Sequence, residues 1–143
     1  MITINRYQDR LELLAISDEL TGTANRRALE SEFQRILYAH TRSDRSFSLI
    51  LLDLDGFKRV NDTHGHIVGD RFLIDIVRLI ENSVRPTDTL ARWGGDEFVI
   101  LTNSAGEEAG AVAERIRHTV KNAQLAGPEG MPDDPRNLVT VSI

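Results

Sequence analysis

Phe47-Ser48-Leu49-Ile50-Leu51-Leu52-Asp53 is a nearly continuous apolar run that ends on a carboxylate. A short apolar run without alternation marks a strand buried on both faces. Residues 56–69 are polar and punctuated by glycine. Residues 70–84 then carry Phe72, Leu73, Ile76, Val77 and Ile80 at helical spacing, the buried stripe of an amphipathic helix. Pro86 ends that helix within the connector Arg85-Pro86-Thr87-Asp88. Two apolar runs, 89–93 and 98–101, flank Gly94-Gly95-Asp96-Glu97, and Gly-Gly at such a junction predicts a tight primed hairpin turn with positive φ. Residues 109–121 read as a helix with Val112, Ala113, Ile116 and Val120 facing in. Pro128, Pro132 and Pro135 predict an exposed loop over 127–137, and 138–143 alternates like a strand. The order from Phe47 onward is β-α-β-β-α-β. It predicts an α+β fold: a split-βαβ, ferredoxin-like antiparallel sheet with helices on one face. The first and third strands are then adjacent and antiparallel, so residues 53–55 lie beside Asp96 and Glu97.

Upstream, Leu29, Phe33, Ile36 and Leu37 give a helix over 26–40, followed by a polar loop over 41–46. Ile4, Tyr7, Leu11 and Leu14 follow a heptad seam for two heptads, which fits a short coiled coil or an ordinary amphipathic helix. The 143 residues suffice for one domain with a core, and 41% hydrophobic with 27% charged residues is ordinary globular composition. A net charge of −5 argues against nucleic acid as a partner, so a phosphate ligand needs a metal or a local cationic pocket. The absence of cysteine excludes disulfides and thiolate metal sites and fits a reducing, cytoplasmic setting. The first ten residues hold no apolar signal-peptide core, and the longest apolar run is too short to span a bilayer. No direct membrane contact is expected.

Acidic residues are poor strand formers. Asp96 and Glu97 at the rim of a turn, converging with Asp53, therefore suggest a site for a hard cation. Asp53-Leu54-Asp55-Gly56-Phe57-Lys58, Asn61-Asp62, Gly65-His66 and Gly69-Asp70 precede the hairpin in order, with Asp18-Glu19-Leu20-Thr21-Gly22 and Asn25-Arg26-Arg27 further upstream. With Arg92-Trp93-Gly94-Gly95-Asp96-Glu97-Phe98, these blocks resemble the GGDEF domain of diguanylate cyclases, from residue 11 to the end.

The resemblance implies condensation of two GTP into cyclic di-GMP, one GTP held by each subunit of a homodimer. It implies two Mg²⁺ per site, with Mn²⁺ as a substitute. Asp53, Asp96, Glu97 and the carbonyl of Leu54 become metal ligands, and Glu97 is alternatively the base that takes the 3′-hydroxyl proton. Asp55 shares a strand face with Asp53 by the two-residue period, but the structural reading is favoured for it. Lys58, Phe57, Gly94 and Gly95 become substrate contacts, Lys58 as a point charge on phosphate. Asn61 and Asp70 become guanine readers. A carboxylate can accept both the N1–H and the exocyclic amine of guanine, a donor pair adenine lacks. Asp70 can also serve as a helix N-cap. Gly65 and Gly69 would let the backbone approach the base. His64 and His66 are not read as a metal pair, since the site is rich in oxygen. Arg85 and Asp88, with Arg115, resemble the family's inhibitory product site, where Arg clamps phosphate or stacks on guanine. Trp93 reads as a packing residue.

The expected organisation is a signalling or linker helix over 1–17 and the GGDEF domain over 18–143, ending before the family's C-terminal helix and strand. Basic triphosphate contacts on that helix would then be missing, so the chain by itself is expected to be a poor catalyst. An upstream sensory domain is expected in the parent protein. Thr23 departs from the family's usual Leu, with only local loosening expected. Two other readings compete. One is a non-catalytic module that binds GTP or cyclic di-GMP. The other is a cyclase of ATP, which Asn61 and Asp70 oppose.

Overall fold

In a computed structural model, residues 2–54, 56–122 and 139–142 are described. Five helices and four strands follow in the order α1 (Ile2–Ile16), α2 (Arg26–His40), β1 (Ser48–Leu54), α3 (Phe57–His64), α4 (His66–Ser83), β2 (Thr89–Arg92), β3 (Glu97–Thr102), α5 (Gly106–Asn122) and β4 (Val139–Ser142). The four strands form one antiparallel sheet in the order β2-β3-β1-β4. This is the expected α+β, βαββαβ arrangement, with β1 and β3 at its centre.

The pleat of β1 divides the core. Ile50, Leu52 and Leu54 point to one face, where they join Phe98 and Ile100 of β3, Phe72, Leu73, Ile76, Val77 and Ile80 of α4, and Val112, Ile116 and Val120 of α5. The opposite face is covered in part by α2, contrary to the expectation of helices on one side, and Leu51 on that face stays 50% exposed. Leu29 of α2 is buried there with Ala91, Val99 and Leu101, and Phe33, Ile36, Leu49 and Trp93 pack around them. An unbroken apolar strand has two greasy faces, and α2 covers the part of the second around Leu49, Val99 and Leu101. Leu37 stays 38% exposed, so the stripe of α2 is narrower than its sequence suggested.

The polar, glycine-punctuated stretch 56–69 is largely helical. Gly56 (φ 74) turns the end of β1 into α3, and Gly65 (φ 86) breaks α3 from α4. Both positions need the left-handed region, which glycine enters without a Cβ penalty. The proline-rich loop over 127–137 and Asp55 lie outside the described residues. No helix among the described residues is long and apolar enough to cross a membrane.

The segment between α1 and α2 is stitched to β2. Ala24 N–H donates to the Leu90 carbonyl at 3.0 Å, and Arg92 N–H donates to the Ala24 carbonyl at 2.9 Å. Asn25 caps α2 by accepting from Ala28 N–H at 2.8 Å, while its Nδ2 donates to the Ala15 carbonyl at the end of α1 at 2.9 Å. Thr23 is buried, and its hydroxyl lies 2.9 Å from that of Thr21.

Candidate active site

Register brings the acidic residues together. Asp53 of β1 stands directly opposite Glu97 of β3, and Leu54 N–H donates to the Asp96 carbonyl at 3.0 Å. Residues more than forty apart in sequence thus share one end of the sheet. Asp53 and Glu97 are exposed and Asp96 is half-buried. Like charges directly opposite each other destabilise a sheet. A bound divalent cation removes that cost, and the donors are oxygens of the kind Mg²⁺ takes. Among the described residues no three His, Asp or Glu side chains stand close enough to enclose a metal unaided. Mg²⁺ needs no such cage, since one or two carboxylates and substrate phosphates suffice.

The β2–β3 turn is not a primed turn. Neither Gly94 nor Gly95 has positive φ. The loop closes instead through Trp93 N–H and Gly94 N–H, which both donate to the Glu97 carbonyl, at 2.8 and 3.2 Å. A Cβ at Gly94 would stand 3.1 Å from Glu97 Oε2, a contact the exposed Glu97 side chain can yield.

Arg92 holds the turn in shape, a role its sequence context did not disclose. Its Nε donates to the carbonyls of Gly94 and Gly95, both at 3.2 Å, and Nη2 donates to Gly95 O at 2.8 Å. Its Nη1 reaches the two carboxylate oxygens of Asp18 at 3.3 and 3.2 Å. Asp18 also accepts from Thr21 N–H at 2.9 Å and from its hydroxyl at 2.7 Å. Burial pushes the Asp18 carboxyl up, but the Thr21 donors and the Arg92 guanidinium outweigh burial and hold it below its ordinary 3.8. Trp93 packs on the α2 side of the sheet with the Arg26 guanidinium 4.1 Å above its ring.

β1 runs straight into α3, so the first turn of that helix adjoins the carboxylates. First-turn N–H groups have no acceptor within their helix and favour anions. The ring of Phe57 is buried in the core, so its main chain is what it can offer a ligand, whereas Lys58 is exposed beside it. Asn61 lies one turn on, half-buried, and Asp70 is exposed on α4 across the Gly65 break. What occupies the space at Gly69 is the side chain of Asn61: a Cβ there would lie 1.7 Å from Asn61 Oδ1.

The Arg85–Asp88 turn lies at the other end of β2, about 13 Å from the hairpin by the ordinary strand rise. It is locked by Arg85 N–H donating to Asp88 Oδ2 at 2.9 Å and Asp88 N–H donating to the Arg85 carbonyl at 3.0 Å. Arg115 of α5 donates to the Ser83 carbonyl from Nε at 3.2 Å and Nη2 at 2.6 Å, which places its guanidinium at the end of α4 just before Arg85. The three residues are therefore neighbours, and an open groove of about 410 Å³ runs past Arg85, Asp88, Glu81 and Thr23.

The family described as diguanylate cyclase, GGDEF domain, matches residues 15–136. The chain belongs to this family. It is 40% identical over 115 residues to the bifunctional diguanylate cyclase/cyclic di-GMP phosphodiesterase MucR of Pseudomonas aeruginosa, covering 80% of this chain and 17% of MucR. It is 35% identical over 140 residues to the response regulator PleD of Caulobacter vibrioides, covering 97% of this chain and 30% of PleD. The GGDEF chain thus spans well under half the length of these curated relatives. Among solved structures, the coiled coil and GGDEF domain of DgcB from Caulobacter crescentus, in complex with c-di-GMP, matches with a TM-score of 0.85 at 28% identity, covering 98% of this chain and 73% of that one.

Proposed function

We propose that this chain carries one half-site of a diguanylate cyclase. It holds one GTP at the β1–β3 edge and joins it to a GTP held by a second copy, giving cyclic di-GMP and two pyrophosphates. The observation that carries the reading is the Asp53–Glu97 cross-strand pair, with Asp96 beside it and the start of α3 following at once. Family membership and the cyclases among the relatives support it.

Asp53, Asp96, Glu97 and the Leu54 carbonyl would hold Mg²⁺, or Mn²⁺ on the same oxygens. The metal supplies charge neutralisation on the triphosphate and polarises its phosphorus–oxygen bonds. Lys58 and the Phe57 main chain meet phosphate oxygens, and Gly94 and Gly95 let the turn approach them closely. Asp70 accepts from N1–H and the exocyclic amine of guanine, and Asn61 meets the base beside it. In each half-reaction the 3′-oxygen of one GTP bonds to the α-phosphorus of the other. The bond to the β-phosphate oxygen breaks, pyrophosphate leaves, and the 3′-hydroxyl proton passes to Glu97 where that carboxylate serves as base instead of metal ligand. Positioning and charge neutralisation supply most of the acceleration for such transfers.

Arg85, Asp88 and Arg115 form a separate product-binding site that restrains the enzyme; the related DgcB was solved in complex with c-di-GMP. A cytoplasmic homodimer driven by an upstream sensory domain completes the reading. Incubation with Mg²⁺ and either GTP or ATP, with products identified by mass spectrometry, tests it. Cyclic di-GMP from GTP alone is expected. Turnover of ATP at a comparable rate, or tight GTP binding with no product at any protein concentration, overturns it.

A further inference from the structure

We infer that Gly69 is a positioning residue for purine recognition, because the space left by its missing side chain fixes which end of the Asn61 amide faces a base. This rests on the guanine reading above. Asn61 Oδ1 is buried and accepts no hydrogen bond, an unusual state for a polar atom inside a protein. It lies 1.7 Å from where a Gly69 Cβ would stand, while Asn61 Nδ2 is 3.5 Å from that point. The carbonyl end of the amide is therefore wedged between α3 and α4, in room that only glycine leaves. The Cα hydrogen that replaces Cβ is a weak donor and a tolerable neighbour for an oxygen.

The surroundings keep this arrangement in place. Gly65 N–H donates to the Asn61 carbonyl at 2.8 Å, and Gly69 N–H donates to the Gly65 carbonyl at 3.1 Å. The sharp break at Gly65 folds α4 back on α3 and brings Gly69 against Asn61. With Oδ1 turned inward, the amide offers a base its donor end. A donor at that point suits guanine O6, an acceptor, and opposes the exocyclic amine that adenine carries in its place. Asp70, next in sequence to Gly69, supplies the complementary acceptor for N1–H and the exocyclic amine of guanine. Gly69 thus sets the orientation of one reader and stands beside the other. In the reversed amide, the outward carbonyl would repel O6.

The experiment is a double-mutant cycle on the full chain with Gly69→Ala, Asn61→Ala and the pair, measuring thermal midpoint and affinity for GTP and ATP. Gly69→Ala is expected to lower the midpoint and weaken GTP binding roughly tenfold, about one lost hydrogen bond, leaving GTP no better bound than in Asn61→Ala. In the Asn61→Ala background, where the amide is gone, adding Gly69→Ala should change neither the midpoint nor GTP affinity. Should Gly69→Ala alone fail to fold, the double variant is still expected to fold and bind like Asn61→Ala. A Gly69→Ala protein that melts lower yet keeps wild-type preference for GTP overturns positioning and leaves only packing. A double variant that is unfolded, or that binds GTP much more weakly than Asn61→Ala, also overturns it. A wild-type chain with no preference for GTP over ATP overturns the guanine reading itself, and positioning with it.

Discussion

Asp53 and Glu97 are the residues whose meaning depends most on a partner. Each alone is an acidic side chain on a strand end. Opposite each other, they put two carboxylates at one end of the sheet, where on the proposed reading a divalent cation would bind. Asp53 is exposed and Asp96 half-buried at one end of the sheet, and neither belongs to the hydrophobic core, so truncation removes a carboxylate without opening the core. Asp53→Ala and Asp96→Ala are each expected to lower cyclic di-GMP formation at least about a hundredfold, the loss of some 3 kcal/mol of transition-state stabilisation. Each should melt within a few degrees of the wild type. Assay of product by chromatography alongside a circular dichroism melt checks both halves, and near-normal turnover by either variant removes the metal assignment. At this scale the sequence showed the carboxylates and their convergence, because strand order alone places them. It did not show that Asn61 fills the space at Gly69, since that contact depends on how sharply Gly65 folds α4 onto α3.

The elements around the hairpin act through a single arginine. Arg92 ties three things together: the carbonyls of the turn, the strand that carries it, and Asp18 in the loop between α1 and α2. Asp18 and Arg92 are 74 residues apart, so no local spacing could have joined them. The hairpin itself was legible but its turn type was not. Gly-Gly suggested positive φ, whereas neither glycine has it and the turn closes through the Glu97 carbonyl and the Arg92 side chain. The second covered face of the sheet was in principle readable. The run from Phe47 to Leu52 has no polar side to turn to water, and α2 was the unplaced amphipathic helix.

The Asp18 carboxyl is held below its ordinary 3.8 in the folded chain, so folding favours its ionised form. That contribution is present in full above about pH 4 and disappears as pH falls through the depressed folded value. Asp18→Asn should therefore be less stable at neutral pH, by about 1–3 kcal/mol for hydrogen bonds to a charged group. The gap to the wild type should narrow below about pH 4. Urea melts over pH 2.5–7 measure it, and a constant gap across the series would show that the charge of Asp18 has no part in the link. At the far end of β2, the Arg85–Asp88 turn is prebuilt by two hydrogen bonds between its own ends. Calorimetry should find cyclic di-GMP binding weakened at least about tenfold in Arg85→Ala/Asp88→Ala, since charge-assisted contacts are lost. Unchanged affinity would place product binding elsewhere.

For the whole molecule, the sheet presents its carboxylate edge at one end and the Arg85–Asp88 turn at the other, with β2 and the Arg92 clamp between them. One copy offers one such edge, and cyclic di-GMP contains two GMP units joined symmetrically. On the proposed reading two copies face each other, and the rate should carry the signature of that encounter. The direct measurement is the initial rate of product formation from GTP and Mg²⁺ over a wide range of chain concentration, with the product identified by mass spectrometry. The expected product is cyclic di-GMP, formed at a rate that rises with the square of protein concentration until the dimer saturates. A cyclic mononucleotide, or cyclic di-GMP formed at a rate strictly proportional to a chain that stays monomeric throughout, would contradict a site completed by two copies.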